Sequence, residues 1–353
     1  MDSLTQVLLG SAVVYAVSGR TLGKSAIVLG GIAGLIPDLD FIPFIGKNDP
    51  YLYLYHHRGL THSLIFTLTA PFLFAWLCLN YFRRRLPTTP NQPHRLFSRL
   101  WHLFFWGIST HILLDCFTSW GTQVFWPHPY RVSWDAIFIV DLGYTVPLLI
   151  GVIVSYCTAN QHRRAQKWVL GGLLLSTLYL TTAVGVKQLI NYRFEALFTH
   201  HNISWHKFKS RPSPFNIILW SATAESNDHY YYAMISLFDS PDTHPPMLEI
   251  PKTQFLPDAF NLPRVHHILS FTQGFYTISE NPSNPNQITI HDLRYGFLSD
   301  PWLNPPEFVF SYQFDIDPNL RLTTHNPRPQ NPTLQIRQLY HRLRGQIHLV
   351  PSA

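Results

Sequence analysis

The 353-residue chain has few cysteines and few charged residues, and both shortages narrow the classes of protein to which it can belong. All three cysteines, Cys78, Cys116 and Cys157, lie in apolar stretches, and no two form a Cys-x-x-Cys pair. This distribution excludes a disulfide framework and a Cys-based zinc finger. Charged residues make up only 13% of the chain, which is typical of a protein that lies partly in lipid. The N-terminus lacks the basic start of a cleaved secretion signal, and no internal repeat is visible.

Long apolar runs are concentrated before residue 190, and Pro, Asn, Asp, His and Tyr become frequent after it. We therefore predict a membrane-embedded helical domain over residues 1–190 and a second domain over 191–353. The first domain contains six apolar segments, which predict a bundle of about six helices. The third and sixth have the roughly 20 residues needed to cross a bilayer, whereas the first is short and the second is interrupted by Pro37, Asp38 and Asp40. The segments are 4–18, 25–42, 64–82, 100–118, 137–157 and 168–188.

The Lys and Arg residues alternate between the gaps that separate these segments. Ten lie in the first, third and fifth gaps, and three lie in the second and fourth. Because cytoplasmic loops are enriched in cations, the odd gaps are predicted to be cytoplasmic and both termini extracytoplasmic. Six buried helices of a soluble protein would not explain the alternation. The same alternation accounts for the basic stretch 83–99, which we predict to be a solvated loop. Because this stretch lacks interleaved aromatic residues, we do not expect it to bind nucleic acid.

The second half of the chain has the pattern of short β-strands separated by turns. Runs rich in β-branched and aromatic residues predict strands over 215–224, 229–238, 265–278, 287–298 and 307–316, and residues 334–343 predict a short helix. The overall expectation is an α+β protein. It has an N-terminal all-α membrane bundle followed by a small, mostly antiparallel and extracytoplasmic β domain.

Polar residues crowd into the stretch from His56 to Ser63, immediately before the third apolar segment. His57 and His62 are five residues apart with Gly59 between them, a spacing that favours a turn entering a helix. Thr61 or Ser63 could cap that helix, and its N-terminus together with Arg58 would favour an anion such as phosphate. Taken alone, the stretch could equally anchor a helix among lipid headgroups.

Two further clusters add carboxylates and a third histidine. Asp38 and Asp40 follow the helix-breaking Pro37 and have no Lys or Arg close in sequence, so they need a cation if they are buried. His111 and Asp115 are four apart and share one face of an otherwise apolar helix. The alternatives are ordinary turn aspartates for the first cluster and one hydrogen-bonded His–Asp pair for the second.

Less specific signals surround these clusters. Arg131 could help to bind an anion. Asp141, at the start of the fifth apolar segment, could be a further metal ligand or could orient another ligand. Asp2 is predicted to cap the first helix. The tryptophans on either side of Arg131, Trp126 and Trp134, are predicted to anchor the chain at the membrane interface.

The predicted topology places all of these clusters on the extracytoplasmic face. Histidine and aspartate together suit zinc, with manganese or iron as alternatives, and not calcium. We therefore predict a site for one or two divalent metal ions, most simply zinc. Its candidate ligands are Asp38, Asp40, His57, His62, His111 and Asp115.

The order of these motifs resembles a known family. The runs Met1–Gln6, Pro37–Asp40, His57–Ser63 and His111–Asp115 resemble the YdjM-type family of predicted membrane-bound metal-dependent hydrolases over about residues 1–160. That family is itself similar to zinc-dependent phospholipase C and to fungal zinc nucleases, which implies phosphoester substrates. Many members have a histidine where this chain has Gln6, so a ligand from the first helix would be missing here. The β domain lies outside the resemblance.

Together these observations predict an integral protein of a bacterial-type inner membrane that hydrolyses a small-molecule or lipid phosphoester with a metal-activated water. Arg58, Arg131 and Asp141 would assist catalysis, and membrane lipid is the expected partner. The alternative is a metal- or lipid-binding membrane protein without catalysis, such as a transport or envelope-assembly component.

Overall fold

The computed structural model describes residues 1–47, 49–85, 93–252, 263–281, 284–297, 307–315, 322–325 and 332–346. The chain divides into two compact units. The first contains Met1–Ile45, His56–Val184 and Pro214–Asn216, and the second contains Gly46–Tyr55, Gly185–Ser213 and Ile217–Ala353. The boundary predicted at residue 190 falls inside a helix that continues to His200.

The N-terminal half is helical, as its apolar segments predict. Short 3₁₀ helices interrupt the α-helices at Ile36–Phe44 and Leu60–His62, the two places where polar residues are concentrated. Asp2 caps the first helix by accepting from the Thr5 amide, which confirms that prediction. The α-helices are α1 (Ser3–Leu22), α2 (Lys24–Leu35), α3 (Pro50–His56), α4 (Leu64–Arg85), α5 (Pro93–Asp115), α6 (Leu142–Cys157) and α7 (His162–His200).

Glycines let α1 and α2 pack with their backbones in contact. A Cβ on Gly10 would lie 2.3 Å from the Gly30 carbonyl oxygen, and a Cβ on Gly34 would lie 2.4 Å from the Gln6 carbonyl oxygen. Neither position tolerates a side chain without moving a helix, because real Cβ atoms do not approach backbone so closely. This contact sets the position of α1 beside the end of α2, where the site is built.

Of the third and sixth segments, which were predicted to be long enough to cross a bilayer, the structure gives that length to the sixth, and to the second in place of the third. Within the described residues, two helical stretches are long and apolar enough to cross a bilayer, Lys24–Phe44 and His162–His200. A third is obtained if Pro50–His62 and Leu64–Leu79, which meet at 72°, form one broken span. The count of about six bundle helices therefore remains a prediction.

Two boundaries differ from the sequence predictions. Helix α1 extends to Leu22, four residues beyond the apolar run, because the small and polar residues after residue 18 continue the helix as far as Gly23. The predicted loop 83–99 is largely helical, since α4 continues to Arg85 and α5 begins at Pro93. Only residues 86–92 remain between these helices, and they lie outside the described residues.

The C-terminal half forms two four-stranded antiparallel sheets, in agreement with the predicted α+β class. Strands in each sheet are adjacent in sequence order, so each sheet is a simple meander. The first contains β1 (Lys207–Pro212), β2 (Leu219–Glu225), β3 (His229–Ser236) and β4 (Leu248–Pro251), and the second contains β5 (Tyr276–Asn281), β6 (Asn284–Asp292), β7 (Ser311–Asp315) and β8 (Leu322–His325).

The end of α7 packs against the first sheet. Phe194 and Phe198 of the helix are fully buried in one cluster with Trp220 of β2 and Ile235 of β3. This cluster buries three large aromatic side chains, each worth about 1.5–3 kcal/mol when fully buried. It supplies the second unit with a core of its own.

One predicted strand is wrong. Most of residues 265–278 form helix α8 (Pro263–Phe271), and only the end of that run belongs to β5. The buried residues Val265, Ile268 and Phe271 recur every three positions, which is helical spacing, and Pro263 occupies the first turn, where proline is tolerated. The predicted C-terminal helix is confirmed as α9 (Pro332–Leu343). Residues 298 and 316 of the predicted strands lie outside the described residues.

Candidate metal centre

The site is built where three segments of the first unit end or begin. The 3₁₀ helix after α2 carries Asp38, the turn before α4 carries His62, and the last turn of α5 carries His111 and Asp115. Pro37 lies in the first turn of the 3₁₀ helix, and Ser63 caps α4 by accepting from the Phe66 amide at 3.1 Å. Helix termini therefore deliver all four side chains to one place.

Four of the six predicted ligands form one compact group. Each of Asp38, His62, His111 and Asp115 offers a donor atom that lies within 4.8 Å of the others. His62, His111 and Asp115 are completely buried, and the Asp38 side chain is 14% exposed. Two histidines and two carboxylates this close together could hold a metal ion.

The spacing of the donor atoms fits a tetrahedral ion. Nε2 of His62 lies 3.4 Å from Asp38 Oδ1 and 3.4 Å from Asp115 Oδ2, and the corresponding distances from His111 Nε2 are 3.4 and 3.6 Å. With bonds of about 2.0–2.1 Å, as for zinc with histidine and carboxylate, ligand atoms around a tetrahedral ion stand about 3.3 Å apart. The four His–Asp distances are close to this value, so the group could hold a metal ion.

The hydrogen bonds behind the two imidazoles support the same conclusion. Nδ1 of His111 lies 2.6 Å from the Gly34 carbonyl oxygen, which can only accept, so Nδ1 carries the hydrogen. Nδ1 of His62 lies 3.0 Å from Thr61 Oγ1, whose own hydrogen is donated to Asp40 Oδ2 at 3.3 Å. In neutral rings both Nε2 atoms then present lone pairs, 3.1 Å apart. A cation between them makes that arrangement favourable.

Asp115 is the most heavily supported carboxylate of the group. Its Oδ1 accepts from Gln6 Nε2 at 2.9 Å and pairs with the buried amino group of Met1. Its Oδ2 lies 3.0 Å from Arg58 Nε, yet it accepts no hydrogen bond from any described residue. One oxygen is therefore held by the protein, and the other is directed at the two histidines.

Gln6 is a site residue that the ligand patterns missed. It is fully buried, and Nε2 donates to both Asp115 Oδ1 and the His111 carbonyl oxygen, the latter at 3.3 Å. The Gln6 Oε1 atom has no hydrogen-bond partner among the described residues. The available signal was the resemblance, in which many members have a histidine at this position.

Asp40 and His57 lie beside the four-residue group rather than in it. His57 Nδ1 is 3.1 Å from Asp40 Oδ1, and Asp40 Oδ2 is 3.8 Å from His62 Nδ1. Asp40 Oδ2 also accepts from the Arg58 amide at 3.1 Å. This pair orients the turn that carries His62.

The two arginines hold the site together. Arg58 is 2% exposed, has the left-handed φ of 61°, and donates from Nη1 to Thr118 Oγ1 at 2.9 Å. Arg131 is 7% exposed and donates to the carbonyl oxygens of His57 and Gly121 at 3.2 and 3.3 Å. Asp141 does not belong to the four-residue group; it is the buried N-cap of α6 and accepts from the Gly143 amide at 3.0 Å.

Comparison with known proteins places the site in a described family. The family "YdjM inner membrane protein" matches residues 1–189, which include every residue of the site. Inner membrane protein YbcI of Escherichia coli (strain K12) is 24% identical over 184 residues, covering 50% of this chain and 95% of that relative. No solved structure gives a significant match.

Proposed function

Because this chain belongs to the YdjM inner membrane protein family, we propose that it is a membrane-bound, metal-dependent hydrolase that acts on a phosphoester. The observation that carries the proposal is the group of Asp38, His62, His111 and Asp115, whose donor atoms lie within 4.8 Å of one another. Zinc is the first candidate ion, with manganese or iron as alternatives. A bound ion of this kind activates water and offsets the negative charge of a phosphoryl group.

The reaction is hydrolysis of one phosphorus–oxygen ester bond. The oxygen of water bonds to phosphorus, the bond to the leaving alcohol breaks, one proton leaves the water and one proton is taken up by the leaving oxygen. The His57–Asp40 pair is suited to the proton transfers, because the carboxylate at 3.1 Å fixes the orientation of the imidazole. A second ion would instead use Asp40 and His57 as ligands.

The buried arginines contribute mainly through charge. Arg58 already pairs with Asp115 at 3.0 Å, and Arg131 is already bonded to two backbone carbonyls. We therefore propose two roles for these arginines. They supply the positive potential that draws a phosphate toward the site, and they support the turn that carries His57 and His62. Asp141, as the cap of α6, stabilises that helix.

A metal-binding protein without catalysis is the second candidate, and one observation favours it. Four protein ligands around one zinc is the coordination of structural sites, whereas catalytic zinc keeps a position open for water. The partly exposed Asp38 is the ligand whose displacement would open such a position. Turnover therefore separates the two candidates.

The first test is metal content. Detergent-purified wild type should carry about one or two equivalents of a divalent metal, and His111→Ala should lose most of it. His102→Ala is the matched control, because His102 lies on the same helix with an exposed side chain and should leave the content unchanged. Metal-free wild type, or His111→Ala with full content, would refute metal binding at this site.

The second test is turnover of a chromogenic phosphodiester and of a phospholipid. Asp38→Ala should abolish the activity of the metal-loaded protein. Wild type that binds metal stoichiometrically and cleaves neither substrate would establish the non-catalytic alternative.

We also propose that the site and the C-terminal unit face the extracytoplasmic side. The distribution of Lys and Arg between the apolar segments supports this orientation. A reporter enzyme that is active only outside the cytoplasm, fused after residue 346, should be active. If that reporter is inactive, and a second reporter that works only in the cytoplasm is active when fused at the same position, the site and the C-terminal unit face the cytoplasm instead.

A further inference from the structure

A run of exposed aromatic residues lies next to the metal centre. Residues 125–130, Phe-Trp-Pro-His-Pro-Tyr, are all exposed, and we call them the aromatic loop. Phe125 is 56% exposed, Trp126 36% and Tyr130 59%. Three large aromatic side chains exposed to this extent within six residues are costly in water.

The aromatic loop is fixed to the segment that carries the ligands. Its base is closed by the Thr122–Val132 pair, whose amides and carbonyls exchange two hydrogen bonds of 2.9 Å. The Gln123 amide donates to the Arg58 carbonyl oxygen at 3.0 Å, just before the loop begins. Arg131, which follows the loop, donates to the His57 carbonyl oxygen. Hydrogen bonds therefore join the aromatic loop to the turn that carries His57 and His62.

The same segment joins an exposed apolar surface of helix α4. The Leu64 amide, at the start of α4, donates to the Val124 carbonyl oxygen at 2.9 Å. From Leu64 onward α4 presents one exposed apolar face of six side chains, each at least 48% exposed. Its members are Leu64, Ile65, Leu68, Phe72, Leu73 and Trp76.

The charge of the region indicates how it meets a membrane. Residues 119–130 contain no Asp, Glu, Lys or Arg. Attraction to anionic lipid therefore contributes little here. Tryptophan and tyrosine partition into the headgroup region because their rings are apolar and their edges polar.

Because the aromatic loop is continuous with the exposed apolar face of α4, we propose that the loop inserts into the headgroup layer and holds the metal centre at the depth of lipid phosphates. The phosphoester substrate is then a lipid headgroup that reaches the site from the surrounding bilayer. The substrate assignment rests on the proposed hydrolase function, whereas the insertion of the loop does not.

Depth measurement tests the insertion without any need for activity. A nitroxide is attached at Phe125→Cys in full-length protein that lacks its native cysteines, reconstituted in uncharged phosphatidylcholine vesicles. Collisions with oxygen should exceed those with an aqueous nickel chelate. Phe238→Cys is the matched control, because Phe238 is an exposed phenylalanine of the second unit, at 63%. Equal access of the nickel chelate to both labels would overturn the insertion.

Turnover then tests the substrate class. The variant Phe125→Ser/Trp126→Ser/Tyr130→Ser should keep its metal and its rate on a soluble phosphodiester, while its rate on phospholipid vesicles falls by about tenfold or more. Equal loss on both substrates, or loss on neither, would overturn lipid access through this loop. Wild type inactive on both substrates would refute the hydrolase function and leave the depth result standing.

Discussion

The carbonyl oxygen of Gly34 accepts a 2.6 Å hydrogen bond from Nδ1 of His111, so the end of α2 orients a ligand of α5. Gly34 is also a point of close contact with α1, because a Cβ there would lie 2.4 Å from the Gln6 carbonyl oxygen and 3.2 Å from Gly10 Cα. One residue without a side chain thus fixes both His111 and the helix that carries Gln6.

Gly34→Ala should therefore weaken metal binding although alanine is chemically inert. The added methyl forces α1 away from α2, at a cost of about 1–3 kcal/mol for overpacking, and removes Gln6 from Asp115. Metal content after dialysis and the thermal unfolding midpoint should both fall.

Gly171→Ala is the matched control for this substitution. A Cβ at Gly171 meets no atom within 4 Å, and the residue lies within helix α7. Its metal content should equal that of wild type. Equal metal loss in both variants would mean that the close contact at Gly34 has no special role.

Gln6→Leu should lower metal affinity by about tenfold, because Gln6 supports a ligand through hydrogen bonds and is not itself a ligand. Leucine keeps the volume but removes the donors to Asp115 Oδ1 and to the His111 carbonyl oxygen. Competition with a fluorescent chelator measures the change. Ser11→Ala removes another buried hydrogen bond of α1, to the Ile27 carbonyl oxygen, and should leave the affinity unchanged. Equal affinities in Gln6→Leu and wild type would contradict a supporting role.

Asp40→Asn separates a positioning role from direct ligation. Asp40 lies outside the four-residue group and bonds to His57, the Arg58 amide and Thr61 Oγ1. Metal content should therefore persist while phosphodiester turnover falls by about 10–100-fold. If the metal is lost as completely as in His111→Ala, Asp40 is a ligand, as the sequence predicted.

Arg342→Ala should detach α9 from the first sheet. Both guanidinium nitrogens Nη1 and Nη2 bond to Asp239 at 2.7 Å, and the Asp239 side chain is 1% exposed. Removal leaves a buried carboxylate without its cation and should cost about 1–3 kcal/mol. Limited proteolysis should cut near residue 332 faster than in wild type. Arg337→Ala, an exposed arginine of α9, is the control, and equal cutting of both variants would contradict the anchor.

Local patterns in the sequence predicted the features that depend on neighbouring residues. The four-residue spacing of His111 and Asp115 places them on one face of α5, and Ser63 caps α4, because both relations involve a single helical turn. The antiparallel strands followed from runs of β-branched and aromatic residues between turns. The strand expected over 265–278 failed because aromatic and β-branched residues also suit a helix when they recur every three positions.

Long-range relations were less accessible. Gln6 carries no charge and was not counted as a ligand, yet it supports Asp115 from 109 residues away in sequence. The separation of Asp40 and His57 from the four-residue group depends on where Pro37 and Gly59 turn the chain, which the spacing of histidines does not determine. The resemblance to the YdjM family was correct, since the family matches residues 1–189.

The ligands come from three segments, a 3₁₀ helix, a turn and the end of α5, that meet only when the helices have associated. An ion that binds them as proposed binds only the assembled protein, and its binding energy is added to the stability of that assembly. Cellular metal supply would then govern how long each newly made copy survives membrane proteases. Metal starvation should lower the amount of the protein in the membrane, and His62→Ala should lower it to the same extent in metal-replete cells.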